Sequence, residues 1–471
     1  MIAALVVLFH VLGFTSSIHA VMSTRTSQGA IAWAVSLNTF PYLAVPAYWV
    51  FGRSKFQGYV VARRTKDEQT DRIEREVIET VAPYRAREAD GLEAVSAAEG
   101  LAGMPTLGGN AVELLIDGDA TFKSILKGVD EAKEYILVQF YIVHDDGLGR
   151  ALKDHLIAKA KEGLRVYFLY DEIGSHSLPN SYKQELRDAG VEVNEFNTRK
   201  GKRNRFQLNF RNHRKIVVTD GHVAWIGGHN VGDEYLGKDP KFGHWRDTHV
   251  RIEGPAVLKA QISFVEDWFW ATDTLPKLSW AAQPDPDGND ARVLIIPTGP
   301  ADDLETCNLM FVHAINSAKK RIWIASPYFV PEQSVIVALQ LAGLRGVDVR
   351  ILIPDEPDHL AVYLAAYSYF DDAGQTGAKF YRYQDGFLHE KAMLIDDEVA
   401  TIGTANFDNR SFRLNFEITA AIADPTFVTK VEHMFQDDFA RSRLMQQGEY
   451  DQKPWYFRLG VRIARLTAPI Q

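Results

Sequence analysis

Two stretches without charged side chains open the sequence. Residues 1–22 and 29–51 contain no Asp, Glu, Lys or Arg, and Arg25 is the one charged residue between them. Each stretch is long enough to cross roughly 30 Å of hydrocarbon as a helix, and the two prolines of the second stretch are tolerated in membrane helices. The pattern predicts an N-terminal two-helix transmembrane hairpin over residues 1–52.

A cleaved signal peptide is the alternative for the first stretch. However, no Lys or Arg precedes its apolar core, and a second apolar stretch follows at once, which favours a membrane span. Five basic residues follow the second stretch: Arg53, Lys55, Arg63, Arg64 and Lys66. The positive-inside rule places that end of the hairpin, and everything after it, in the cytoplasm.

Beyond the hairpin, strand-like and helix-like patterns alternate, and their arrangement occurs twice. Residues 135–141 and 321–328 have the composition of buried strands, and each follows an amphipathic stretch. Residues 162–172 and 345–356 form a second matching pair. Strands that alternate with helices indicate α/β units with a largely parallel sheet.

This repeat divides the chain into two α/β domains of similar length. We predict a helical linker over residues 53–110, a first domain over 111–271, a linker over 272–291, a second domain over 292–445 and a basic amphipathic C-terminal helix over 446–471. Because the two domains are built alike, we expect them to be related by pseudo-two-fold symmetry.

Two basic segments stand out from this pattern. Residues 199–215 carry eight Lys or Arg and no acid, and they are either a solvated loop or a site that attracts anionic lipid. In residues 455–466 the arginines Arg458, Arg462 and Arg465 share one helical face and apolar side chains share another. That pattern fits a helix at a membrane surface and a helix docked on the core equally well.

Composition limits the function without identifying it. The chain has 471 residues, of which 46% are hydrophobic and 24% are charged, so it can form two or three domains with a large core. Its formal net charge of −9 argues against a general nucleic-acid binder, because such proteins are usually basic. With Cys307 as the single cysteine, an intramolecular disulfide is excluded.

The strongest candidate for chemistry is a motif, His-x-Lys-x4-Asp, that occurs once in each half. Its members are His213, Lys215 and Asp220 in the first copy, and His389, Lys391 and Asp396 in the second. In both copies a Gly-x-x-Asn follows at the same offset and ends in Asn230 or Asn406. His and Lys two positions apart on a strand point to the same face, so they can bind one phosphate together.

These residues resemble the phospholipase D superfamily, and more closely the bacterial cardiolipin synthases. The resemblance covers nearly the whole chain and includes the stretches 227–235, 245–249, 326–331 and 406–417. It implies two phospholipase D-like α/β domains behind a membrane hairpin, in a bacterial inner membrane with the catalytic domains on the cytoplasmic side. One departure is that Gly228 and Thr404 stand where Ser is commoner in the superfamily, and Gly228 cannot donate a side-chain hydrogen bond to phosphate.

The chemistry implied by the resemblance is transfer of a phosphatidyl group between two phosphatidylglycerol molecules, which gives cardiolipin and glycerol. One histidine attacks phosphorus and forms a phosphohistidine, and the other protonates the leaving glycerol oxygen. Lys215 and Lys391 stabilise the phosphoryl oxygens, with Asn230 and Asn406 as further phosphate-binding residues. No cofactor and no metal ion are expected.

A nucleophilic imidazole also needs a carboxylate on its other nitrogen. The resemblance points to an acid some thirty residues after each motif, which identifies Asp247 after His213 and Glu417 after His389 as His-orienting residues. A plain surface carboxylate is the alternative for each. We expect the motif aspartates to brace the site rather than react. The sequence does not fix which histidine attacks, and family analogy favours His213.

Three other functions remain as alternatives. A hydrolytic phospholipase D would use the same residues, with water as acceptor, and release phosphatidic acid. A nuclease of the superfamily is disfavoured by the acidic net charge and the hairpin. A catalytically dead membrane scaffold would have no physical need for two histidines and two lysines. The expected partners are the phospholipid bilayer and phosphatidylglycerol, with no nucleic acid, and the sequence leaves the oligomeric state unknown.

Overall fold

The computed structural model describes residues 2–52, 56, 59, 68–86, 96–196, 209–446 and 448–468. Two predicted features lie wholly or partly outside the described residues: the five basic residues after the hairpin, and positions 199–208 of the basic run.

The helices and strands confirm a mixed α/β fold. The helices are α1 (Ile2–Ser23), α2 (Ser27–Thr39), α3 (Pro41–Phe51), α4 (Glu68–Val81), α5 (Ser96–Ala102), α6 (Asp117–Glu131), α7 (Gly147–Lys161), α8 (Asn180–Asp188), α9 (Val257–Thr272), α10 (Thr306–Ser317), α11 (Gln333–Leu344), α12 (Leu360–Gly374), α13 (Asn409–Arg413), α14 (Pro425–Ala440) and α15 (Trp455–Arg465). The strands of the first half are β1 (Leu107–Ile116), β2 (Tyr135–Phe140), β3 (Arg165–Asp171), β4 (Glu192–Phe196), β5 (Arg211–Asn212), β6 (Ile216–Thr219), β7 (Val223–Gly227), β8 (Trp245–Arg246) and β9 (Thr248–Glu253). Those of the second half are β10 (Ala291–Thr298), β11 (Arg321–Ala325), β12 (Phe329–Val330), β13 (Asp348–Pro354), β14 (Lys379–Tyr383), β15 (Phe387–Leu388), β16 (Ala392–Ile395), β17 (Val399–Gly403), β18 (Phe407–Asp408), β19 (Asn415–Ala423) and β20 (Ser442–Leu444).

One 16-stranded sheet runs through both halves of the described chain. At its centre β1 and β10 pair antiparallel. Outward from β1 the order is β9, β7, β6, β2, β3, β4, and outward from β10 it is β19, β17, β16, β11, β13, β14, with β20 as an added edge strand beyond β14 and β5 paired to β19 off this path. The two orders correspond strand by strand, which gives the sheet its pseudo-two-fold symmetry.

The sheet is mixed rather than largely parallel as the sequence suggested. Parallel pairing is confined in the large sheet to β2–β3–β4, β11–β13–β14 and the short β5–β19 contact, while each motif strand runs antiparallel to its neighbours. The reason is the turn that follows each motif strand. Asp220 and Gly221 both have positive φ, 55° and 70°, and Asp396 has φ 52°. Such turns join neighbouring strands into a hairpin, which must be antiparallel.

Helices cover both faces of the sheet. Helices α9 and α14 pack on one face over a core shared by the two halves. On the opposite face, α6, α7 and α8 cover the first half, and α10, α11, α12 and α15 cover the second. The motif strands therefore lie in the middle of a three-layer structure, screened from water on both sides.

The N-terminal segment differs from the expected pair of straight spans. Helix α1 has 22 residues, but the second apolar stretch is broken at Phe40 into α2 and α3. Pro41 supplies no backbone N–H and disfavours helical geometry in the residue before it, and Phe40 accordingly has φ −131° and ψ 57°. Of the described helices, α1 is the one that is long and apolar enough to cross a membrane by itself.

Contacts with α1 define how the two shorter helices run. Leu37 of α2 lies at Gly13, where a Cβ would be 2.2 Å from the Leu37 carbonyl oxygen, so α2 runs antiparallel to α1. Two residues of α3 contact α1, and the contacts occur in the same order along both helices. The ring of Tyr42 lies 5.4 Å from that of Phe9, and the Tyr48 hydroxyl lies 2.6 Å from His19 Nδ1. Helices α2 and α3 thus form a short helical hairpin, with both ends beside the C-terminal end of α1.

Candidate active site

Two short strand pairs that cross between the halves position the motif histidines. Strand β5 of the first half pairs with β19 of the second, and β15 of the second half pairs with β8 of the first. The backbone N–H of His213 then donates to the Phe416 carbonyl at 2.9 Å, and that of His389 donates to the Arg246 carbonyl at 2.8 Å. Each motif therefore enters its own strand while bonded to the backbone of the other half.

The crossing determines which carboxylate each histidine meets. His213 Nδ1 lies 2.9 Å from Glu417 Oε2, and His389 Nδ1 lies 2.7 Å from Asp247 Oδ2. Both predicted carboxylates are fully buried at the site, so neither is a plain surface acid. The sequence offsets suggested partners within one half. The structure instead pairs each histidine with the acid of the other half, because Glu417 and Asp247 each follow the strand residues that β5 and β15 pair with.

Glu417 is held by several donors besides His213. The Thr404 hydroxyl donates to Oε2 at 2.6 Å, and the Ser411 hydroxyl and the Asn415 amide donate to Oε1 at 2.8 and 3.1 Å. None of these three donors was identified as a site residue from the sequence. Thr404 was noted only as a departure from the commoner Ser, and that departure was the available signal.

The equivalent space in the other half has no hydroxyl. Asp247 occupies it, and a Cβ on Gly228 would lie 2.0 Å from Asp247 Oδ1. Besides His389, Asp247 accepts from the backbone N–H of Thr248 at 2.8 Å. The glycine is therefore required by the carboxylate that packs on it, rather than by phosphate.

Both motif lysines are buried beside their histidines. Lys215 Nζ donates to the His213 carbonyl at 2.7 Å. Lys391 Nζ donates to the His389 carbonyl, and it lies 2.7 Å from His389 Nδ1 and 3.9 Å from Asp247 Oδ2. The i, i+2 spacing predicted that each lysine lies on the same face of the strand as its histidine. In the structure each ammonium group lies beside the histidine of its own motif.

An aromatic ring packs against each histidine. Tyr141 meets His213 edge-on with 5.0 Å between ring centroids, and Trp245 meets His389 at 5.1 Å. Sequence reasoning did not assign either residue to the site. Tyr141 ended a predicted strand and Trp245 stood two positions before Asp247, so both lay in stretches already singled out.

The motif aspartates lie at the far end of the motif strands. Asp220 accepts backbone hydrogen bonds from Lys133, Glu134 and Tyr135 at 2.8–2.9 Å. Asp396 accepts the corresponding three bonds from residues 319–321 at 2.7–2.9 Å. Each carboxylate ties the motif hairpin to the start of the adjacent strand, β2 or β11, and the bracing role expected of it stays a prediction.

The two motif asparagines are buried, and their contacts differ. Asn230 Oδ1 accepts from the backbone N–H of Ile142 at 3.1 Å, and its amide contacts the Tyr235 hydroxyl at 3.3 Å. The backbone N–H of Asn406 donates to the Ser411 hydroxyl at 3.1 Å. Phosphate binding by these side chains remains a prediction.

The residues that follow the histidines join buried ion pairs on the face away from the site. Arg214 Nη1 lies 2.8 Å from Asp267 of α9. In the other half the residue after the histidine is an acid instead of a base. Glu390 lies 2.7 Å from Arg246, and Arg246 also bonds Asp438 of α14 at 2.8 Å. Sequence reasoning identified neither ion pair, since the partners are distant along the chain.

Burial governs the protonation of the site. It lowers the pKa of His213 to about 4, although the charge of Glu417 opposes the shift. The pKa of His389 is also well below its usual range, because of burial and the charges of the lysines. Burial lowers the pKa of Lys391 to about 8. Burial alone would raise the pKa of Glu417, but the charges of His213 and Lys215 and the hydrogen bonds of His213 and Thr404 together lower it.

This arrangement can perform nucleophilic and acid–base chemistry at one anion. A carboxylate only accepts hydrogen bonds, so a histidine that meets it through Nδ1 presents the lone pair of Nε2. An entering phosphodiester would add negative charge beside two imidazoles and two ammonium groups, which favours protonation of one imidazole. Among the residues that the structure describes, no group of three or more His, Cys, Asp or Glu is arranged to hold a metal ion.

Comparison with known proteins gives close relatives over the whole chain. A family model described as "Cardiolipin synthase, PLD-like domain" matches residues 125–268 and 311–439. A protein named Cardiolipin synthase A from Pseudomonas fluorescens is 50% identical over 472 residues, which cover 99% of this chain and 98% of that protein. A protein of the same name from Pseudomonas putida is 50% identical over 469 residues, which cover 98% and 97%.

Solved structures share the fold at much lower identity. A phosphatidylserine synthase from Haemophilus influenzae aligns with a TM-score of 0.60 and 17% identity, over 80% of this chain and all of that one. A polyphosphate kinase from Porphyromonas gingivalis aligns with a TM-score of 0.51 and 12% identity, over 83% of this chain and 57% of that one. Both likenesses concern the fold alone.

Proposed function

Since the chain belongs to the phospholipase D-type cardiolipin synthases, and is therefore a phosphatidyltransferase of that superfamily, we propose that it joins two phosphatidylglycerol molecules. The products are cardiolipin and glycerol. The observation that carries this proposal is the crossed pairing of His213 with Glu417 and of His389 with Asp247, which prepares two imidazoles for different tasks around one phosphate.

The proposed first step forms a covalent intermediate. Nε2 of one histidine attacks the phosphorus of phosphatidylglycerol, and the bond from phosphorus to the headgroup glycerol oxygen breaks. The departing oxygen takes the electron pair and receives a proton from the other histidine. Lys215 and Lys391 offset the charge on the non-bridging oxygens.

The second step reverses the roles with a different alcohol. The free primary hydroxyl of a second phosphatidylglycerol gives its proton to the acid–base histidine, and its oxygen attacks the phosphohistidine. The bond from phosphorus to nitrogen breaks and the first histidine is restored. Two phosphatidylglycerol molecules thus become one cardiolipin and one glycerol, with no net proton change.

We assign the nucleophilic role to His213. Attack makes its ring a cation, and the best-supported anion of the site faces it, because Glu417 has three side-chain donors besides the histidine. His389 meets an aspartate with fewer donors and a close lysine, so a proton on its ring is less stabilised and is given up more readily.

The alternative, hydrolysis to phosphatidic acid, differs only in the acceptor. It is tested with purified full-length protein in vesicles that contain phosphatidylglycerol labelled in its headgroup glycerol and in one acyl chain. We expect one free glycerol for each cardiolipin formed and little phosphatidic acid. Phosphatidic acid as the main product would contradict the proposed acceptor, and the His389→Ala protein provides the inactive control.

The proposal includes attachment to a bacterial inner membrane with the catalytic domains in the cytoplasm. The basic residues after the hairpin support that side. The helix geometry supports α1 as the single span, about 33 Å long, with α2 and α3 entering and leaving on the catalytic side. The N-terminus would then lie outside the cytoplasm.

The topology is tested with an N-terminal epitope tag in spheroplasts. Protease added outside should remove the tag while the catalytic domains stay intact, and a C-terminal tag provides the matched control. Two complete spans, as the sequence first suggested, would protect both tags.

A further inference from the structure

The two halves differ in the outer surface of their helical layers. In the described part of the first half, residues 111–196 and 209–271, Ile116 at the end of β1 is the one exposed large hydrophobic side chain, and the helices expose none. The second half exposes such side chains on α10, α11, α12 and α15. On α11 they are Val337, Leu341 and Leu344, which are spaced to share one helical face. Pseudo-symmetry therefore does not extend to this surface.

Helix α15 carries the most pronounced part of the difference. One narrow face docks on α12, where Val461 and Ala464 are buried and the rings of Phe457 and Tyr367 lie 5.1 Å apart. The opposite face is exposed and consists of Trp455, Tyr456, Leu459, Ile463 and Leu466, with exposures of 70, 65, 52, 58 and 80%. Their spacing places all five within an arc of about 100° on the helix.

Arginines lie between the docked face and the exposed apolar face. Arg458 and Arg462 are exposed, and Arg465 is half-buried with its guanidinium 3.7 Å from Asp372. A helix with an apolar arc of Trp, Tyr, Leu and Ile beside basic residues has the composition of one that lies in a lipid–water interface. Core docking and a membrane-facing surface, posed as alternatives by the sequence, occupy different faces of the same helix.

The position of α15 in the molecule favours a bilayer as its partner. The end of α15 and residues 466–468 line a cavity of about 940 Å³ together with residues 23–26, Phe51 and Gly52 of the hairpin. Arg25, in the turn between α1 and α2, is bonded to Glu305 and lies 3.5 Å from Glu332 of the second half. The C-terminal end of α15 therefore lies next to residues 23–26 and 51–52, where the N-terminal helices meet the catalytic domains.

We propose that the exposed face of α15 is a second membrane-binding surface, which lies in the headgroup region of an anionic bilayer. The apolar arc enters the boundary of the acyl chains, and the arginines bind lipid phosphates. A single span and a short helical hairpin leave the catalytic domains free to tilt. A second attachment on the same half fixes the orientation of the active site relative to its lipids.

The first test locates α15 directly and does not depend on enzymatic activity. Full-length Leu459→Cys protein carries an environment-sensitive fluorophore in nanodiscs of phosphatidylglycerol and phosphatidylcholine, with and without nitroxide-labelled lipid. Unsubstituted protein corrects for labelling of the buried Cys307. A Gln184→Cys protein, labelled on exposed α8 of the first half, is the matched control.

We expect blue-shifted emission at position 459 and at least two-fold stronger quenching by nitroxide lipid than at position 184. Equal, water-like emission at both positions would overturn the proposal. Shielding at position 459 that lipid nitroxide does not quench, and that is lost when the nanodiscs hold a single copy, would assign the face to a second copy of the chain and would also overturn it.

The second test measures the consequence for turnover. The double substitution Leu459→Glu and Ile463→Glu should lower the rate on phosphatidylglycerol vesicles about ten-fold, while the rate in detergent micelles and the Tm stay near those of the unsubstituted protein. Gln184→Glu with Arg187→Glu, which adds charge to α8, should leave both rates unchanged. Equal rates on vesicles for the two double variants would contradict the proposal without affecting the proposed reaction, which the micelle assay reports separately.

Discussion

The two halves of the molecule repeat one motif but surround it differently. In the site, His213 faces the longer carboxylate, Glu417, with the Thr404 hydroxyl behind it. His389 faces the shorter carboxylate, Asp247, which packs directly on Gly228. One histidine is thus supported by the longer acid, Glu417, with the hydroxyl of Thr404 behind it. The other is supported by the shorter acid, Asp247, with the glycine Gly228 behind it. The chemistry is duplicated, while the detailed support of each histidine is not.

The same contrast recurs outside the site. The second half holds the hairpin through Arg25 and exposes apolar faces on α11 and α15, whereas the described helices of the first half expose none. Two-fold symmetry suits a phosphate that two histidines approach from opposite sides. A membrane lies on one side of the molecule only, so a surface that binds it has no reason to be duplicated.

The largest effect should come from removing either histidine. His213→Ala and His389→Ala should each reduce the rate by at least about 10⁴-fold, and the double variant should be little worse, because the two act as a unit. The asymmetry predicts a difference in what accumulates. With phosphatidylglycerol labelled at phosphorus, His389→Ala should retain acid-labile label on the protein, and His213→Ala should retain none.

The reverse pattern of labelling would assign the nucleophile to His389 and leave the reaction intact. Label on neither variant, with both folded by circular dichroism and Tm, would show that cleavage of the bond to the headgroup glycerol needs the acid–base histidine as well as the nucleophile. The His213→Ala, His389→Ala double variant gives the background of non-covalent lipid.

The next largest effect should come from the crossed carboxylates. Asp247→Asn and Glu417→Gln keep the shape of each side chain but no longer fix the histidine tautomer, so we expect rate losses of about 10²- to 10⁴-fold. In double variants, Asp247→Asn should add little to the loss of His389→Gln, whereas Glu417→Gln should add little to that of His213→Gln. Non-additivity within each half instead of across the halves would contradict the observed pairing.

The site residues themselves could be predicted from the sequence, but their pairing could not. The internal repeat identified both motifs, and the resemblance to the family, which points to an acid some thirty residues after each motif, identified both carboxylates. Which acid meets which histidine depends on β5 pairing with β19 and β15 with β8, and β5, β8 and β15 have only two residues each. So short a strand leaves no hydrophobic period in the sequence.

The membrane segment shows a similar limit. Length and apolar composition predicted two spans, and hydropathy cannot distinguish one long helix from two short ones. The distinction lies in Phe40 and Pro41, where proline geometry ends α2, and in Gly13, which allows the Leu37 carbonyl to approach α1. The prediction that both prolines are tolerated inside one helix is right for Pro46, which lies within α3, and wrong for Pro41, where α3 begins.

A smaller effect should follow from exchanging the residues behind the carboxylates. Gly228→Ser places a Cβ 2.0 Å from Asp247 Oδ1, so the carboxylate must move away from His389. We expect a rate loss of at least ten-fold and a destabilisation of about 1–3 kcal/mol by overpacking. Activity assays and thermal unfolding measure the two effects.

Thr404→Ser is the matched control in the other half, because it keeps the hydroxyl that donates to Glu417. It should cost less than two-fold in rate. If Gly228→Ser were as active as Thr404→Ser, the close packing of Asp247 on Gly228 would not be what requires a glycine there.

The smallest effect should be a shift in pH dependence that separates the lysines from the histidines. Because burial lowers the pKa of Lys391 to about 8, its ammonium group loses a proton as the pH rises through that value, and kcat/KM should fall there. His213, with a pKa of about 4, is already neutral over this range and contributes no alkaline limb.

Lys391→Arg keeps its charge to much higher pH, so it should lower the maximum rate but move the limb upward by at least about one pH unit. The profile is measured in mixed micelles from about pH 5 to about pH 10, on both sides of that pKa, with Lys320→Arg, which changes an exposed lysine, as the control. If the limb stays at the same pH in Lys391→Arg, the titration belongs to another group. The lowered pKa of buried Lys391 would then not be the cause of the fall in kcat/KM.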